Sequence, residues 1–349
     1  MTVGNLISNN TFVSHSFPPL TRTDFLCIGN AIVDVFAETD TNFMDQNGIT
    51  EPVQHIKPEH AQKILAELAG RPRPCTLRSG GGAANTAKIA AIQGSSAAFS
   101  GCTGNDELAA YFKNELIEAG AIPLLKTGKS PTGVCLILNN GRETRIAASP
   151  SAAFELDETC ISEKTIENAG IVVVDGYILD RQYLVRRIFQ IADKFGIPVS
   201  MDTASVPVTR NNAHSIIYFC KNYRSILFMN ADESIAFYQA ITGSREKAAV
   251  LTETEKEKFI IDKACPVLKK ITGEKLPVMV IKLGEKGALA ISQGKIYRKE
   301  TQAIDTRNTT GAGDAFCAAF LKEWLLEKSI VECLDRGNTT AAEHIMTNM

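Results

Sequence analysis

One segment near the C-terminal end combines residue types that can bind an anion with one that can take up a proton. It reads Thr309-Thr310-Gly311-Ala312-Gly313-Asp314 and opens an amphipathic helical pattern. Small residues let a ligand approach the backbone closely, and the free N–H groups at a helix start attract negative charge. Asp314 in the first turn can accept a proton from an attacking hydroxyl. The segment predicts phosphoryl transfer, with Gly311, Ala312 and Gly313 as an anion hole and Asp314 as the catalytic base.

The same segment also has a purely structural interpretation, in which Gly311–Gly313 is a tight turn and Asp314 interacts with the helix dipole. The flanking residues, Thr309-Thr310 and Ala315-Phe316, favour the chemical interpretation. A second glycine-rich motif reads Ser79-Gly80-Gly81-Gly82-Ala83-Ala84-Asn85. Taken alone, this second motif would be interpreted as a helix start that packs closely.

Together the two motifs resemble those of the ribokinase-like (PfkB) carbohydrate kinases, a family that includes adenosine kinase. The family motifs look like S-G-G-x-x-x-N and D-T-x-G-A-G-D, and both occur here in the expected order, with strand–helix alternation between them. The resemblance covers residues 24–347. It implies an ATP-dependent kinase that transfers the γ-phosphate to a hydroxymethyl group of a sugar or nucleoside. The alternatives are adenosine kinase proper and a non-catalytic relative that binds a sugar or nucleoside.

The resemblance also implies which residues hold the acceptor. Gly29-Asn30-Ala31-Ile32-Val33-Asp34 looks like the family's first-strand segment, whose Asp binds sugar hydroxyls. A carboxylate can accept hydrogen bonds from both hydroxyls of a vicinal diol, although Asp34 could equally be a turn residue at a strand end. The other sugar-contacting positions implied by the family are Asn30, Gly80, Gly81 and Asn85. Arg145 could bind a substrate anion or belong to a lid, or it could be a solvated surface arginine.

Two further segments resemble the family's nucleotide and metal elements. Asn230-Ala231-Asp232-Glu233 is similar to an N-x-x-E element that orders Mg²⁺ through water, although the same pattern is a common helix cap. Residues 282–287 look like a nucleotide-binding turn, T-x-G-x-x-G, with Lys282 in place of the Thr as a cationic phosphate contact. The implied nucleotide-binding residues are Asn230, Lys282, Gly284, Gly287, Thr310 and Asn338. The implied metal-binding residues are Glu233 and Asn230.

One position departs from the family pattern. Asn308 stands where the family's second motif has an Asp, and in potassium-activated members that acid helps to hold a monovalent cation. Because an amide is neutral, it binds a cation more weakly than a carboxylate does. We therefore expect ATP and Mg²⁺ as cofactors, with little dependence on K⁺ or Na⁺. Asn and Asp are near equivalents in turns, so K⁺ binding through backbone carbonyls stays open.

Other chemistries have less support in the sequence. Gly128-Lys129-Ser130 looks like the end of a P-loop, but the first Gly of that motif would fall at Pro123. Gly80-x-Gly82-x-x-Asn85 lacks the third Gly of a dinucleotide fingerprint, and no ribose-binding acid follows at the right spacing. The five histidines do not cluster at metal-ligand spacing.

The pattern of apolar residues predicts the elements that position these motifs. From Ile171 onward, apolar strands alternate with helices near 181–195, 211–222, 232–240 and 253–271, which predicts a parallel sheet with helices on both faces. A hairpin around Asn139-Asn140-Gly141 lies outside that pattern. The predicted fold class is α/β, a ribokinase-like central and mostly parallel sheet with a small β lid. We expect a kinase domain over 23–349, lid segments at about 34–56 and 131–149, and a flexible tail over 1–22.

Composition limits the classes of partner. The 349 residues carry a net charge of −2, which argues against a dedicated nucleic-acid binder, and no apolar run approaches the ~20 residues of a membrane span. The nine cysteines form no C-x-x-C pair, which fits a reducing cytoplasm, and residues 1–22 do not read as a secretory signal. The expected partner is a small sugar or nucleoside, without nucleic acid or membrane. A homodimer through the exposed edges of the lid stays open.

Overall fold

The computed structural model describes residues 22–245, 251–302, 304 and 309–347. Apart from Arg22, the predicted N-terminal tail lies outside these residues. The strands are Thr23–Ile28 (β1), Ile32–Glu38 (β2), Val53–His55 (β3), Thr76–Gly80 (β4), Ala97–Thr103 (β5), Ile122–Thr127 (β6), Gly133–Asn139 (β7), Thr144–Ser149 (β8), Ala169–Asp175 (β9), Val199–Asp202 (β10), Ser225–Asn230 (β11), Val278–Lys282 (β12), Ala288–Ser292 (β13) and Lys295–Lys299 (β14). The helices are Thr41–Gln46 (α1), Pro58–Ala69 (α2), Gly82–Ile92 (α3), Glu107–Glu118 (α4), Glu163–Glu167 (α5), Gln182–Lys194 (α6), Val206–Asn222 (α7), Ala231–Thr242 (α8), Glu253–Phe259 (α9), Cys265–Leu268 (α10), Ala312–Leu325 (α11) and Ile330–Thr347 (α12).

The larger sheet has nine strands in the order β14-β13-β12-β11-β10-β9-β1-β5-β6. The strands from β12 to β6 run parallel, and the β13–β14 hairpin adds two antiparallel strands at one edge. The central strands are continuous apolar runs because both of their faces are buried. The predicted α/β fold with a mostly parallel central sheet is confirmed.

Helices cover both faces of this sheet. On one face, α3, α4, α11 and α12 contribute to a core that continues into the smaller sheet. On the other face, α6, α7, α8 and α10 enclose a second core. The short side chains of Ala83, Ala84, Ala87 and Ala90 let α3 pack closely, and α3 contacts both β1 and α11. This close packing brings the two glycine-rich motifs, at the starts of α3 and α11, to the same end of the sheet.

The smaller sheet has five strands in the order β3-β8-β7-β2-β4. Strands β2, β7 and β8 come from the two segments that the sequence set apart from the alternating pattern. Strand β4 forms an edge that the sequence did not indicate, because Leu77 is the one apolar side chain in Thr-Leu-Arg-Ser-Gly. In this sheet Asp34 lies opposite Arg78 of β4 and Cys135 of β7.

The chain passes between the two sheets at four places. The connections are Gly29–Ala31 after β1, Gly81 after β4, residues 128–132 after β6, and Pro150 after β8. The smaller sheet is therefore made from two separate stretches of chain, and the pairing of β2 with β7 joins residues about a hundred positions apart, such as Ile32 and Gly133.

Two predicted helices have different bounds in the structure. Helix α7 begins at Val206, five residues before the predicted start, because the side chain of Ser205 caps it and Pro207 suits the first turn. The predicted helix over 253–271 is divided into α9, a π-helical turn over Ile260–Ala264, and α10. Pro266 has no N–H group to donate to the preceding turn, which explains a change of helical hydrogen bonding at this place.

Candidate active site

The carboxyl ends of four neighbouring strands place polar side chains along one edge of the larger sheet. Asp175 ends β9, Asp202 ends β10, Asn230 ends β11 and Lys282 ends β12. Strand register sets Asp175 beside Asp202, and Asn230 beside Lys282. Ligands of open α/β sheets bind outside the carboxyl ends of the strands. The starts of α3 and α11 face this same edge, so this is where we look for the site.

Asp314 lies where the two glycine-rich motifs meet. Its Oδ2 accepts a hydrogen bond of 2.9 Å from Nδ2 of Asn85, and its Oδ1 is 3.2 Å from the position that a Cβ on Gly82 would take. Burial raises the pKa of Asp314 to about 7; Asp202 adds to this rise, and the bond from Asn85 opposes it. A carboxylate with this pKa can accept a proton near neutral pH.

The turn before α11 depends on glycine. Gly311 has a φ of +80° in the left-handed region and caps the helix. A Cβ there would also lie 2.7 Å from Nε2 of His344 on α12, and this nitrogen is 3.2 Å from the carbonyl oxygen of Thr310. Any other residue at 311 would therefore be strained and crowded. Gly311, Ala312 and Gly313 lie at the start of α11, where helix N–H groups lack partners within the helix. The N–H of Ala312 donates to the carbonyl oxygen of Thr309 over 3.1 Å, so the anion hole stays a prediction that depends on the neighbouring N–H groups.

The predicted acceptor residues Asp34, Asn30, Gly80 and Gly81 lie together at the junction of the two sheets. A Cβ on Gly80 would collide with the carboxylate of Asp34, and a Cβ on Gly81 would collide with the carbonyl oxygen of Asn30. Burial raises the pKa of Asp34 to about 6, although the Lys88 ammonium opposes the rise. Close approach at both glycines holds Asp34 and Asn30 against the Gly80-Gly81 turn, which directly precedes α3, the helix that carries Asn85.

Asn30 is buried and held in place by Arg181. The Oδ1 atom of Asn30 accepts a 2.5 Å hydrogen bond from the guanidinium group, which also donates to the carbonyl oxygen of Ala153. Arg181 thus links the acceptor junction to the segment that follows β8. No motif or spacing in the sequence indicated a role for this arginine.

A cavity of about 410 Å³ opens on the other side of the anion-hole turn. Its lining includes six of the predicted site residues, which come from the 282–287 turn, the anion-hole turn and the C-terminal helix: Lys282, Gly284, Gly287, Ala312, Gly313 and Asn338. Ala341, Ala342 and Ile345 of α12 form an apolar wall. Backbone donors at one end and an apolar wall at the other suit a ligand with phosphates and a flat base.

Two of the predicted nucleotide contacts have other roles in the structure. Asn338 is buried and donates its Nδ2 to the carbonyl oxygen of Lys299 over 3.0 Å, so its amide holds α12 against β14. Thr310 is exposed, and its carbonyl oxygen faces His344. Of these two residues, only Asn338 belongs to the described lining of the cavity.

The Asn230–Glu233 element has the geometry of a helix cap. The Oδ1 atom of Asn230 accepts from the backbone N–H of Glu233 over 2.9 Å, and Oε2 of Glu233 accepts from the backbone N–H of Asn230 over 2.8 Å. Thr203 also donates to Oε2. Glu233 is 2% exposed, and burial together with Asp202 raises its pKa. Both oxygens of this carboxylate already accept hydrogen bonds, so the role of Glu233 at a metal ion stays a prediction.

Lys282 forms an ion pair with Asp202. Its Nζ lies 2.5 Å from Oδ2 of Asp202 and 3.9 Å from Sγ of Cys317. Burial alone would lower the pKa of Lys282, but the attraction of Asp202 outweighs it and raises the pKa. The ammonium is 3.1 Å from the position that a Cβ on Gly313 would take. This cation therefore lies next to the anion-hole turn.

Arg145 does not face the site. Its guanidinium group is paired with Asp45 at 2.6 Å and with Glu143 at 2.7 Å, and it donates to the carbonyl oxygen of Ile49. The side chain is 13% exposed. These contacts with α1, the segment after it and the β7–β8 turn occupy the guanidinium group, so a substrate anion would have to compete with them.

Several residues of the site were missed by sequence reasoning. Asp175 and Asp202 each follow directly on an apolar strand, and that position at a strand's carboxyl end was an available signal. Lys88 was missed because a lysine in a helix is normally solvated. Here its Nζ donates to the carbonyl oxygen and the hydroxyl of Ser79 at 2.7 Å, beneath the Gly80-Gly81 turn.

A sequence model of the pfkB family carbohydrate kinases matches residues 48–347. The chain belongs to this family. It is 26% identical to a 5-dehydro-2-deoxygluconokinase of Clostridium botulinum over 281 residues, which are 75% of this chain and 77% of that protein. It is 25% identical to a guanosine-inosine kinase of Exiguobacterium acetylicum over 286 residues, which are 77% and 84% of the two chains.

The fold agrees with that of solved pfkB relatives. The crystal structure of adenosine kinase from Sinorhizobium meliloti superposes with a TM-score of 0.75 at 23% identity, and covers 93% of this chain and 94% of that one. This likeness confirms the ribokinase-like fold class. Membership of the pfkB family makes the chain a phosphotransferase with an alcohol group as acceptor, related to sugar and nucleoside kinases.

Asn308 lies outside the described residues, so the expected small dependence on K⁺ or Na⁺ stays a prediction. Within residues 22–245, 251–302, 304 and 309–347, no helix is long and apolar enough to cross a membrane. The same residues contain no group of three or more His, Cys, Asp or Glu side chains placed to hold a metal ion.

Proposed function

We propose that the protein transfers the γ-phosphate of ATP to a hydroxymethyl group of a sugar or nucleoside, with Asp314 as the base. The observation that carries this proposal is the position of Asp314. It is bonded to Asn85 on the acceptor side, and it follows Gly313, which lines the 410 Å³ cavity. An acceptor hydroxyl at the junction of the sheets would thus have the proton acceptor Asp314 on one side and the anion-binding turn on the other.

The roles follow from the chemistry of the groups. Asp34 and Asn30 would hold the acceptor's other hydroxyls, and Asp314 would remove the proton from the attacking hydroxyl as the new bond to phosphorus forms. The N–H groups of the Gly311–Gly313 turn would bind the oxygens of the phosphoryl group during transfer. The buried position that raises the pKa of Asp314 makes it basic enough for this step.

The residues present fit both ATP and Mg²⁺. The glycines of the 284–287 turn and Gly313 leave room for phosphates, and the apolar wall of α12 suits the adenine. Mg²⁺ keeps several waters and needs few protein ligands, which agrees with the capped carboxylate of Glu233 and the neighbouring Asp202. Bound there, Mg²⁺ would neutralise phosphate charge.

An acceptor panel tests the proposal. ADP formation from MgATP is measured with ribose, fructose, 5-dehydro-2-deoxygluconate, adenosine, inosine and guanosine, and without acceptor. We expect acceptor-dependent ADP formation with at least one compound, and loss of it in Asp314→Asn. A protein that binds these compounds without ADP formation would instead be the non-catalytic relative.

One observation favours a nucleoside over a free sugar. Tyr177 is 51% exposed. Burial of its hydroxyl raises the pKa of that group, and Asp175 of the larger sheet and Cys135 of the smaller one are near enough to add to the rise. An exposed aromatic face beside a sugar site can stack on a base. Nucleosides in the panel should then show a lower KM than ribose; an equal or lower KM for ribose would remove this argument.

Asp34→Ala is expected to raise the acceptor KM by about one to two decades, since a hydrogen bond to a charged group contributes about 1.5–3 kcal/mol. Affinity for ATP should stay within about twofold, because Asp34 lies at the sheet junction and not in the cavity. Steady-state kinetics and ATP titration measure the two effects. Asp45→Ala, which removes a surface partner of Arg145, is the matched control and should change neither. Loss of ATP affinity in Asp34→Ala would show that the residue is misassigned.

We propose that the smaller sheet acts as a lid over the acceptor. It contributes Asp34, and its closure would exclude water, which competes as a phosphoryl acceptor. Hydrogen exchange in residues 131–149 is expected to slow when the active acceptor from the panel and a non-hydrolysable ATP analogue bind together. Exchange in residues 211–222 of α7, which carry none of the residues assigned to either substrate, should change less. Equal exchange in 131–149 with and without ligands would contradict a lid.

A further inference from the structure

Lys282 places an ammonium group at the border between the anion-hole turn and the cavity. It ends β12, its side chain is 16% exposed, and it lines the cavity together with Gly313. Its nearest acceptor is Oδ2 of Asp202 at 2.5 Å. The ammonium has three N–H donors, so one carboxylate does not use its full capacity.

The surroundings of Lys282 carry an excess of negative charge. Asp202 lies close enough to Glu233 to help raise the pKa of that carboxyl, and Asp202 and Asp175 act in the same direction on Asp314. The terminal phosphate of a nucleotide would add further negative charge at this edge. A cation that can approach the phosphate reduces this repulsion.

Asp202 keeps other partners if the lysine leaves. Its Oδ1 accepts from the backbone N–H of Ala204 over 3.0 Å, and its Oδ2 lies 3.3 Å from the thiol of Cys317. These contacts lower the penalty of separating the ion pair, since the carboxylate is not left unsatisfied. The four-carbon stem of a lysine, unlike a planar guanidinium, lets its charge move between neighbouring acceptors.

We propose that Lys282 changes partner when a nucleotide binds, from Asp202 to the terminal phosphate. In the nucleotide-free protein the ion pair keeps the charge of Lys282 beside Gly313. In the complex the same ammonium donates to the phosphate that will be transferred, and Asp202 retains Ala204 and Cys317. The proposal rests on the proposed function, because it takes ATP as the ligand of the cavity.

Calorimetric titration tests this change of partner by Lys282. The ligands are ATP and AMP, both in the presence of EDTA so that metal contacts do not contribute. Lys282→Met should weaken ATP binding by about 10- to 100-fold, the loss expected for one charge-assisted hydrogen bond, and should change AMP binding by about threefold or less. Lys282→Arg should restore most of the ATP affinity. Lys286→Met is the matched control, because Lys286 lies in the same turn but pairs with Glu257 at 3.0 Å.

The Asp202→Asn variant distinguishes a lysine that changes partner from a lysine that stays paired and only holds its surroundings in place. If Lys282 must leave Asp202, the amide should release it more easily, and ATP affinity should stay equal or rise. A loss of ATP affinity in Asp202→Asn as large as in Lys282→Met would contradict the exchange, as would equal losses of ATP and AMP in Lys282→Met. Unchanged ATP binding in Lys282→Met would overturn this inference alone. Failure of the wild-type protein to bind ATP even in the presence of Mg²⁺ would overturn the proposed function as well.

Discussion

Asp314→Asn is expected to lower turnover by about 10²–10⁴, the usual contribution of a positioned general base. Asparagine has nearly the same shape, and its Oδ1 can still accept from Asn85, so the contact that joins α3 to α11 is kept. What is lost is the ability to take up the hydroxyl proton. The measurement is kcat with saturating MgATP and the acceptor identified in the panel.

The variant should remain folded and should still bind ATP. Removing a partly buried carboxylate whose pKa is raised by burial relieves an unfavourable charge, so the melting temperature at pH 8 is expected to stay equal or increase. Glu332→Gln, at an acid in the first turn of α12 that bonds to Ser329, is the control for a change of helix-dipole charge. Turnover of Asp314→Asn within about fivefold of the wild type would exclude Asp314 as the base.

The second large effect concerns pH. Because Asp314 must be ionised to accept a proton and its pKa lies at about 7, activity should be lost as the pH falls through 7. Each pH unit below the pKa reduces the ionised fraction about tenfold, so kcat/KM at pH 5 should be about 100-fold below its plateau. Plateau values are expected above about pH 8. A profile of kcat/KM for the acceptor from pH 5 to 9, with saturating MgATP, measures the apparent pKa of the base in the enzyme–MgATP complex.

Asp34 and Asp175, with pKa values raised by burial to about 6, titrate in the same window. The contribution of Asp34 can be separated from that of Asp314. Asp34→Asn should raise the acceptor KM but should leave the fall in activity near pH 7 unchanged. The residual activity of Asp314→Asn should in turn show no limb near 7. An acidic limb at pH 5 or below in the wild-type protein would contradict the raised pKa of the base.

The sequence predicted the fold well where its patterns were continuous. The apolar runs of β9 and β11 and the hairpin turn at Asn139-Asn140-Gly141 were found because strands that are buried on both faces, and tight turns, have strong local signals. Strands β5 and β6 were not found. β5 contains Ser100, Gly101 and Cys102 and does not alternate, and β6 contains Pro123, which this strand tolerates because it lies at the edge of the sheet.

The site was predicted to the extent that its residues belong to contiguous motifs. Asp314 and Asn85 were both named from glycine-rich helix starts, and the structure brings them within 2.9 Å. The ion pairs of Arg145 with Asp45 and of Lys282 with Asp202 could not be foreseen, because these partners come from distant parts of the chain. The raised pKa values likewise follow from burial, which a sequence without a fold does not specify.

The four connections between the sheets have a consequence for how this enzyme could be altered. Two of them contain Asn30 and Gly81, to which we assign acceptor contacts, while residues 128–132 and Pro150 carry none. If the sheets rotate about these connections, half of the hinge is also the binding surface. A substitution at 30 or 81 that selects a new acceptor would then also change the rate of closure, whereas one at 128–132 would change closure alone. Substitutions at Tyr177, which is not part of these connections, should therefore change acceptor specificity with less effect on the rate of closure.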